Sequence, residues 1–405
     1  MSGTVIAQII NIAAIPIMAR LFSPEDFGVF AVYFSISSIL ASVSCGRYEL
    51  AIMLPKKNHN AYQIVIISFY FLFTTIFISF IILIFFFTGI TNILDVKTAR
   101  YLIFLVPVLT FLIGTHKIFN NWFSRFKKFK AVAVSKVIKS GVSVSVKSGL
   151  GLFSFHALGL FIGEILGQIF SVLFLFKKNK KIIQENNFHK NKLVLKQELR
   201  ENRNFPFFSM PMAFLNSVSV QILIFFLIFL FNTTIVGFYT QANKVLNYPL
   251  SLISNSFTSV FYQKLTTTKQ KIKLYLFSYL TSLIIAGIIS FPVYFWGEEL
   301  FGFVLGKEWY FSGFLAKYLI PIVIFGFATR NTSVVFSFLK LQQITLIWQI
   351  IYLAGALIVF FYFKDEKVDV LIKWFSLIGG FMYLLLGFIG YFLLIQQKYI
   401  NKNKR

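Results

Sequence analysis

The stretch AYQIVIISFYFLFTTIFISFIILIFFFT, residues 61–88, contains no charged side chain and decides the fold class of this chain. A helix of about 20 mainly apolar residues is long enough to cross the hydrocarbon core of a bilayer. Because the bilayer offers the backbone no water, a spanning segment of this kind is helical and satisfies its own hydrogen bonds. The stretch therefore predicts a transmembrane helix.

Similar apolar runs, separated by charged or turn-rich breaks, recur along the rest of the sequence. The chain of 405 residues is 57% hydrophobic and 13% charged, whereas a soluble globular protein has roughly 45 to 50% and 25%. We place twelve spans near residues 3–21, 27–46, 61–88, 99–116, 131–151, 154–176, 207–232, 234–260, 274–296, 313–338, 343–363 and 370–395. The expected fold class is an all-α integral membrane protein with about twelve transmembrane helices.

The formal net charge of +25 is explained by orientation in the membrane. With a cytoplasmic N-terminus, the inside loops carry about five times as many Lys and Arg residues as the outside loops, in line with the positive-inside rule. The charged residues of the outside loops are Asp95, Lys97, Arg100, Glu298, Glu299, Lys307, Glu308, Lys364, Asp365, Glu366, Lys367 and Asp369. We therefore expect a bacterial inner (plasma) membrane protein with both termini in the cytoplasm, and no nucleic-acid partner.

The longest polar interruption divides the twelve spans six plus six. We predict an N-terminal six-helix bundle over residues 1–176, a basic cytoplasmic linker helix over 177–204, and a C-terminal six-helix bundle over 205–397. A basic cytoplasmic tail follows at 398–405. The linker is expected to lie on the membrane surface, where each well-placed Lys or Arg gains about 1 kcal/mol from anionic lipid.

The two halves match each other at a constant offset. Gly28 in the segment FGVF corresponds to Gly237 in VGFY, and each glycine opens the second span of its half. At the same shift, four pairs of polar positions coincide: Ser35 with Lys244, Ser38 with Asn247, Ser42 with Ser251 and Glu49 with Thr258. Transporters are often built from repeated bundles. The sequence therefore predicts two related six-helix bundles that face each other.

The eighth span carries polar side chains every three or four residues, so they fall on one face of the helix. They are Thr240, Asn243, Lys244, Asn247, Ser251, Ser254, Asn255 and Thr258. Such a face does not point at lipid tails. It either forms hydrogen bonds between helices, as Ser, Thr and Asn do in membrane bundles, or it lines a wet cavity. A lysine within the stripe favours the cavity.

The fifth span carries a more strongly charged stripe, formed by Lys136, Lys139, Ser140, Ser143 and Lys147. Inserting a lysine into the bilayer costs about 2.5 to 3.5 kcal/mol on insertion scales. Three lysines on one face therefore indicate a function rather than packing alone. Snorkelling toward the two boundaries is the alternative explanation for Lys136 and Lys147. It does not explain Lys139.

Further polar residues lie within the predicted spans. The candidate cavity-lining residues include Gln8, Asn11, Ser35, Ser38, Ser42 and Asn216, and the other charged residues are Arg47, Glu49, Glu164 and Arg330. Arg330 either binds substrate or marks the inner boundary of its span. Glu164 either pairs with a lysine of the fifth span or, like Glu49, is a candidate site for a coupling proton or sodium ion. A cavity lined by these mainly cationic groups is expected to attract phosphate, pyrophosphate or an acidic sugar.

The sequence lacks the motifs of an enzyme. It has no Gly-rich Walker loop, so the chain is not expected to hydrolyse nucleotide. The histidines have no metal-ligand spacing, and the single cysteine lies in an apolar run; these residues are His59, His116, His156, His189 and Cys45. No outside loop is long enough to form a catalytic domain. We therefore expect no catalytic residues, no metal and no cofactor.

Family-like segments follow one another in order along most of the chain. They are residues 3–8 (GTVIAQ) through 20–28 (RLFSPEDFG), 47–52 (RYELAI), 204–217, 236–253 and 301–309 (FGFVLGKEW). These segments resemble the Wzx-type O-antigen and polysaccharide flippases of the MATE-like multidrug/oligosaccharidyl-lipid/polysaccharide exporter superfamily. The turn RLFSPEDFG is the most telling of them.

The resemblance implies two six-helix bundles around a cationic central cavity that opens alternately to each side. It implies transport of an undecaprenyl-pyrophosphate-linked oligosaccharide, a unit of O-antigen or of capsular or exopolysaccharide, from the cytoplasmic to the periplasmic leaflet. Within the matched segments, it assigns Arg47 and Lys244 to the cavity. A polysaccharide polymerase and a chain-length regulator are the partners expected beside the phospholipid bilayer.

The expected mechanism needs no covalent chemistry. The head group enters a cavity lined by spans 1, 2, 7 and 8, where Lys139, Lys244 and Arg330 neutralise phosphate charge while the lipid tail stays in the bilayer. Two alternatives remain open from the sequence. One is an ion-coupled antiporter of small molecules or drugs in the same superfamily, against which the lysines argue, and the other is a membrane glycan polymerase.

Overall fold

The computed structural model of the protein describes residues 2–93, 100–186 and 188–403. The outside-loop residues Asp95 and Lys97 and the last two residues of the predicted tail lie outside these ranges. The side chains of residues 398–403, in the same tail, also lie outside what the structure describes.

Twelve helices of at least 20 residues account for most of the described chain, and each overlaps one predicted span. They are α1 Ser2–Leu21, α2 Pro24–Val43, α3 Asn58–Ile93, α4 Leu105–Arg125, α5 Phe129–Leu152, α6 His156–Asn186, α7 Met210–Leu230, α8 Thr233–Thr267, α9 Lys271–Leu305, α10 Tyr310–Thr332, α11 Gln342–Tyr362 and α12 Val368–Asn403. Shorter helices lie at Tyr48–Ala51, Lys192–Glu201 and Val334–Phe338. No strand occurs in the described ranges, and the all-α prediction is confirmed.

Ten helices in the described part of the chain are long and apolar enough to cross a membrane, judged by length and composition. The two long helices not among the ten are α5 and α8, which carry the two polar stripes. With 24 and 35 residues, both are still longer than the roughly 20 that a bilayer requires. The lower hydropathy of these two helices therefore reflects the polar stripes predicted from the sequence.

The start of α2 is set by a reciprocal cap. The Asp26 backbone N–H donates to Ser23 Oγ at 3.2 Å, and the Ser23 backbone N–H donates to Asp26 Oδ2 at 3.0 Å. This arrangement satisfies two donors that a helix N-terminus leaves free. Pro24 occupies the first turn, where no backbone N–H is needed. The segment 20–28, which carries the strongest resemblance, thus folds into the turn between α1 and α2.

The first compact unit comprises Met1–Gly237. Within it, α5 packs along both α6 and α1, and α7 packs against α2. The predicted linker is held on this unit, because Asn60 Nδ2 donates to Glu198 Oε1 at 2.8 Å and the Tyr48 hydroxyl donates to the Leu199 carbonyl at 3.3 Å. The chain passes to the second unit at Gly237 rather than at the linker. The functional division into two six-helix bundles stays a prediction.

The second compact unit comprises Phe238–Arg405 and is built on close helix contacts at small residues. A Cβ atom on Gly297 of α9 would lie 2.8 Å from the Gly313 carbonyl oxygen of α10. The Tyr275 hydroxyl of α9 donates to the Gly387 carbonyl of α12 at 2.8 Å. Small residues let membrane helices approach closely without a hydrophobic driving force between them. The contacts between α9, α10 and α12 follow this rule.

Gly28 and Gly237, the pair that anchors the predicted repeat, meet in the first unit. A Cβ atom on Gly28 would overlap the Thr233 carbonyl, and one on Gly237 would overlap the Pro24 carbonyl. At the repeat offset, Thr233 corresponds to Pro24. Gly28 contacts Thr233, and Gly237 contacts Pro24, so the two contacts join corresponding positions. Reciprocal contacts of this kind are those that a two-fold axis generates. The internal repeat itself stays a prediction.

We expect Gly28→Ala to lower the thermal unfolding midpoint of the detergent-solubilised protein, because the added methyl group overlaps a backbone carbonyl. Overpacking of this kind costs about 1 to 3 kcal/mol. Gly237→Ala should show a similar loss, since the contact is reciprocal. Gly287→Ala in α9 is the matched control, as its Cβ would meet no heavy atom within 4 Å. Equal midpoints for Gly28→Ala and Gly287→Ala would contradict the contact.

Candidate functional site

The contact between α5 and α6 is formed at three glycines of α6, two of which lie against the charged stripe of α5. Gly159, Gly163 and Gly167 recur at a spacing of four, which places them on one face. A Cβ atom on Gly167 would lie 2.7 Å from the Lys139 carbonyl oxygen, and one on Gly163 would overlap the Lys147 side chain. Glycines at this spacing are a known signal for close helix packing in membranes. The sequence analysis missed it.

Glu164 lies between these glycines and bridges two lysines of α5. Lys147 Nζ lies 2.7 Å from Glu164 Oε2, and Lys139 Nζ lies 3.1 Å from Oε1. The Ser143 hydroxyl donates to Oε2 at 3.3 Å. The predicted pairing of Glu164 with the fifth-span lysines is confirmed. Snorkelling is the wrong explanation for Lys147, because its ammonium group turns to the neighbouring helix. A coupling-ion role for Glu164 stays a prediction.

Lys136 extends the cluster toward α1. Its ammonium group lies 3.4 Å from Thr4 Oγ1, and one turn further along α5 the Asn11 amide donates to Ser140 Oγ at 3.2 Å. Within the described residues, no carboxylate lies at ion-pair distance from Lys136. Glu164 thus pairs with two of the three ammonium groups, Lys136 contacts a hydroxyl, and the cluster keeps a positive charge.

His116 of α4 belongs to the same cluster, although the sequence analysis set it aside. Its Nε2 lies 3.4 Å from the hydroxyl of Ser135, the residue before Lys136 on α5. His116 lies on a different helix from the lysines, so no local sequence pattern predicts this contact. A histidine can also face an anion, and its distance from the lysines in sequence hides this neighbourhood.

Arg47 and Glu49 form a second charged site, at the end of α2. Gly46 and Arg47 have φ of 58° and 61°, so the chain turns through two left-handed residues before the helix Tyr48–Ala51. Arg47 Nη1 lies 3.6 Å from Glu49 Oε1. Glu49 is 3% exposed, and its Oε2 has no hydrogen-bond partner in the described part of the chain. Glu49 therefore retains an unused acceptor, unlike Glu164.

The remaining polar positions of the first unit differ in their surroundings. Ser35 Oγ donates to the Ala31 carbonyl at 2.7 Å and to Gln221 Oε1 of α7 at 3.2 Å. Ser42 Oγ bonds within its own helix, to the Ile39 carbonyl at 2.7 Å. Gln8 and Ser38 are half-buried, and Asn11 and Asn216 are exposed. Their assignment to a cavity stays a prediction, and Gln221 joins them as a residue the sequence analysis missed.

The polar stripe of α8 divides into two parts within the second unit. In the first part, Asn247 Nδ2 donates to Asn243 Oδ1 at 2.7 Å, and Arg330 Nη2 donates to Asn247 Oδ1 at 3.3 Å. Lys244 and Ser251 are half-buried on the same helix. The Asn255 side chain lies outside what the structure describes. Arg330 therefore contacts the Asn pair, and its role, in substrate binding or at the inner boundary of its span, stays a prediction.

The second part of the stripe bonds to a buried asparagine. Ser254 Oγ donates to Asn331 Oδ1 at 2.6 Å, and Asn331 Nδ2 donates to Ser282 Oγ at 3.2 Å. Asn331 and Ser282 are both fully buried. This part of the stripe is hydrogen bonding between helices, the alternative that the sequence left open. One stripe thus contains an Asn pair that contacts the exposed Arg330 of α10 and a second part that forms hydrogen bonds between helices.

The helices and the buried charges define a multi-pass, all-α membrane protein. Residues 17–312 match the model of a family described as polysaccharide biosynthesis protein. That match covers most of the chain, and the protein belongs to this family. No curated protein sequence matches the chain.

Similar solved structures are membrane transporters and flippases. An inward-facing multidrug resistance MATE family transporter of the MOP superfamily aligns over 98% of this chain and 96% of its own, at 14% identity and a TM-score of 0.70. The lipid II flippase MurJ, in an inward closed conformation, aligns over 97% and 86%, at 13% identity and a TM-score of 0.70. A MOP superfamily transporter from Pyrococcus furiosus Vc1 aligns over 100% and 94%, at 16% identity and a TM-score of 0.58. The predicted MATE-like fold is confirmed.

Gly163→Val is expected to destabilise the protein strongly, because a side chain at this position displaces Lys147 from Glu164 and leaves buried charges unpaired. Breaking a buried ion pair costs about 3 to 5 kcal/mol. Gly149→Val on α5 is the control, since a Cβ at Gly149 would meet no heavy atom within 4 Å. Thermal unfolding in detergent measures both. A midpoint for Gly163→Val no lower than that of the control would disprove the packing described for α6.

Proposed function

We propose that this protein is a flippase that moves an undecaprenyl-pyrophosphate-linked oligosaccharide from the cytoplasmic to the periplasmic leaflet of the bacterial inner membrane. The observation that carries the proposal is the cluster of Lys136, Lys139 and Lys147, whose positive charge exceeds that of its one carboxylate. Charged groups at membrane depth are costly and are typical of substrate pathways. The match to a family of polysaccharide biosynthesis proteins supports a substrate from that pathway.

A pyrophosphate is the part of such a substrate that these cations suit. Its charge must leave water during translocation, and an array of ammonium groups replaces part of that hydration. Lys139, with 31% of its side chain exposed, is the most accessible of the two paired lysines. Lys244 and Arg330 are proposed as further substrate-binding residues in the second unit. Arg47 stays a proposed binding residue and Glu49 a proposed coupling-ion site.

The proposed process is alternating access without covalent chemistry. The head group binds the cations from the cytoplasm, the lipid tail stays in the bilayer, and the protein releases the head group outside. O-antigen, capsular polysaccharide and exopolysaccharide units share the pyrophosphate handle, so all are candidate cargo. A polymerase and a chain-length regulator are proposed to act on the released unit, and both termini of the flippase are proposed to lie in the cytoplasm.

Lys139→Ala is expected to reduce export by about tenfold or more, the effect of losing roughly 1.4 kcal/mol of binding. Its membrane abundance should be unchanged, because Glu164 keeps Lys147 as a partner. The measurement is surface glycan, together with lipid-linked repeat units retained inside, in a deletion strain that carries each variant. Lys244→Ala should behave in the same way.

Lys178→Ala is the matched control, because Lys178 is an exposed lysine near the end of α6. Normal export from both Lys139→Ala and Lys244→Ala would refute the assignment of these residues. Unchanged glycan with altered resistance to cationic compounds would favour a drug antiporter. Altered glycan chain length, with repeat units in the correct leaflet, would favour a polymerase.

A further inference from the structure

We infer that Glu164 is an internal competitor of the substrate: its carboxylate occupies Lys139 until a phosphate group of the cargo displaces it. Glu164 would then set how tightly the first unit holds pyrophosphate and how readily it lets pyrophosphate go. The inference rests on the proposed function, since it assumes that the cargo carries pyrophosphate.

The two arms of the Glu164 bridge are unequal. Oε2 lies 2.7 Å from Lys147 Nζ and also accepts the Ser143 hydroxyl, whereas Lys139 Nζ lies 3.1 Å from Oε1. Lys147 is further held over the Phe30 ring, 5.2 Å from its centroid. Its side chain is 14% exposed, against 31% for Lys139. The arm to Lys139 is therefore the longer one and the one that an incoming anion reaches.

Lys136 lies next to Lys139 and is the second lysine that a diphosphate can bind. The two lysines are three residues apart on α5, which separates them by about 4.5 Å along the helix and places them on neighbouring positions of one face. Lys136 has the Thr4 hydroxyl as its hydrogen-bond partner, and His116 contacts Ser135, the residue before Lys136. A diphosphate can therefore engage Lys136 and Lys139 together. A single phosphate engages fewer of these groups.

The backbone prevents Glu164 from following Lys139 toward the anion. Gly163 and Gly167 flank the carboxylate and hold α6 against α5 so closely that no side chain fits at either position. Glu164 therefore stays with Lys147 and Ser143 while Lys139 changes partner. Each exchange replaces one ion pair by another, so Lys139 is never left as an unpaired charge at membrane depth.

Such competition suits a transporter. A site must bind its cargo well enough to capture it and weakly enough to release it. Without a competing carboxylate, Lys139 and Lys147 would both be available to the pyrophosphate, and release would be slow. The carboxylate supplies a replacement partner for Lys139 at the moment when the cargo leaves.

The test is the binding of inorganic pyrophosphate to the full-length protein in detergent, measured by calorimetry, with inorganic phosphate as a second probe. We expect Glu164→Gln to bind pyrophosphate about tenfold more tightly than the wild type, as an added charge coupling of this size would. Lys147→Gln should bind pyrophosphate more weakly, because Lys139 is then the one lysine that pairs with Glu164 and the carboxylate competes for it more strongly. The double variant should return close to the wild-type affinity.

A purely structural role for Glu164 predicts the opposite sign. Weaker pyrophosphate binding by folded Glu164→Gln, or equal effects on pyrophosphate and phosphate, would overturn the inference. If Glu164→Gln does not fold, Glu164→Asp draws the carboxylate back from Lys139 and should still tighten binding. An unchanged affinity there would also overturn it.

The proposed function fails in a distinguishable way. A wild-type protein that does not bind pyrophosphate, and whose deletion leaves surface glycan intact, would contradict the flippase proposal itself. A wild-type protein that binds pyrophosphate and exports glycan, with no tightening in Glu164→Gln, would contradict the role of Glu164 alone.

Discussion

The ion pairs of Glu164 with Lys139 and Lys147 are the interaction on which the described site depends. Lysines at membrane depth need a partner, and the glycines on either side of Glu164 bring α6 close enough to supply one. The carboxylate is shared between two ammonium groups, while Lys136 pairs with a hydroxyl. The contact between α5 and α6 therefore neutralises only part of the lysine charge. The cluster keeps a net positive charge, which an anionic cargo requires.

Much of this fold follows from elementary patterns in the sequence. Apolar runs placed all twelve long helices, because a bilayer leaves the backbone no alternative to a helix. The two long helices with the more polar composition, α5 and α8, are those with one-sided stripes. The turn at Ser23 and Asp26 lies in the segment with the strongest family resemblance. These two residues form the capping box that begins α2, which explains why Ser and Asp occur there.

The partners within the site were harder to predict, because they depend on how helices pack in three dimensions. Spacing placed three lysines on one face, but it did not show that Glu164 takes two of them. His116 lies on another helix, so no local pattern joins it to the cluster. The α8 stripe looked uniform in sequence, yet its Ser254 end is tied to buried Asn331. Only packing separates these two uses of polar residues.

The most direct test of the account is translocation by the purified protein in proteoliposomes of bacterial lipid. The substrate is a fluorescent polyprenyl-pyrophosphate oligosaccharide, and a membrane-impermeant quencher reports the leaflet that holds its head group. We predict that the wild-type protein moves the head group between leaflets faster than protein-free vesicles, and that excess inorganic pyrophosphate slows it. Movement equal to that in protein-free vesicles, or movement indifferent to pyrophosphate, would contradict the account.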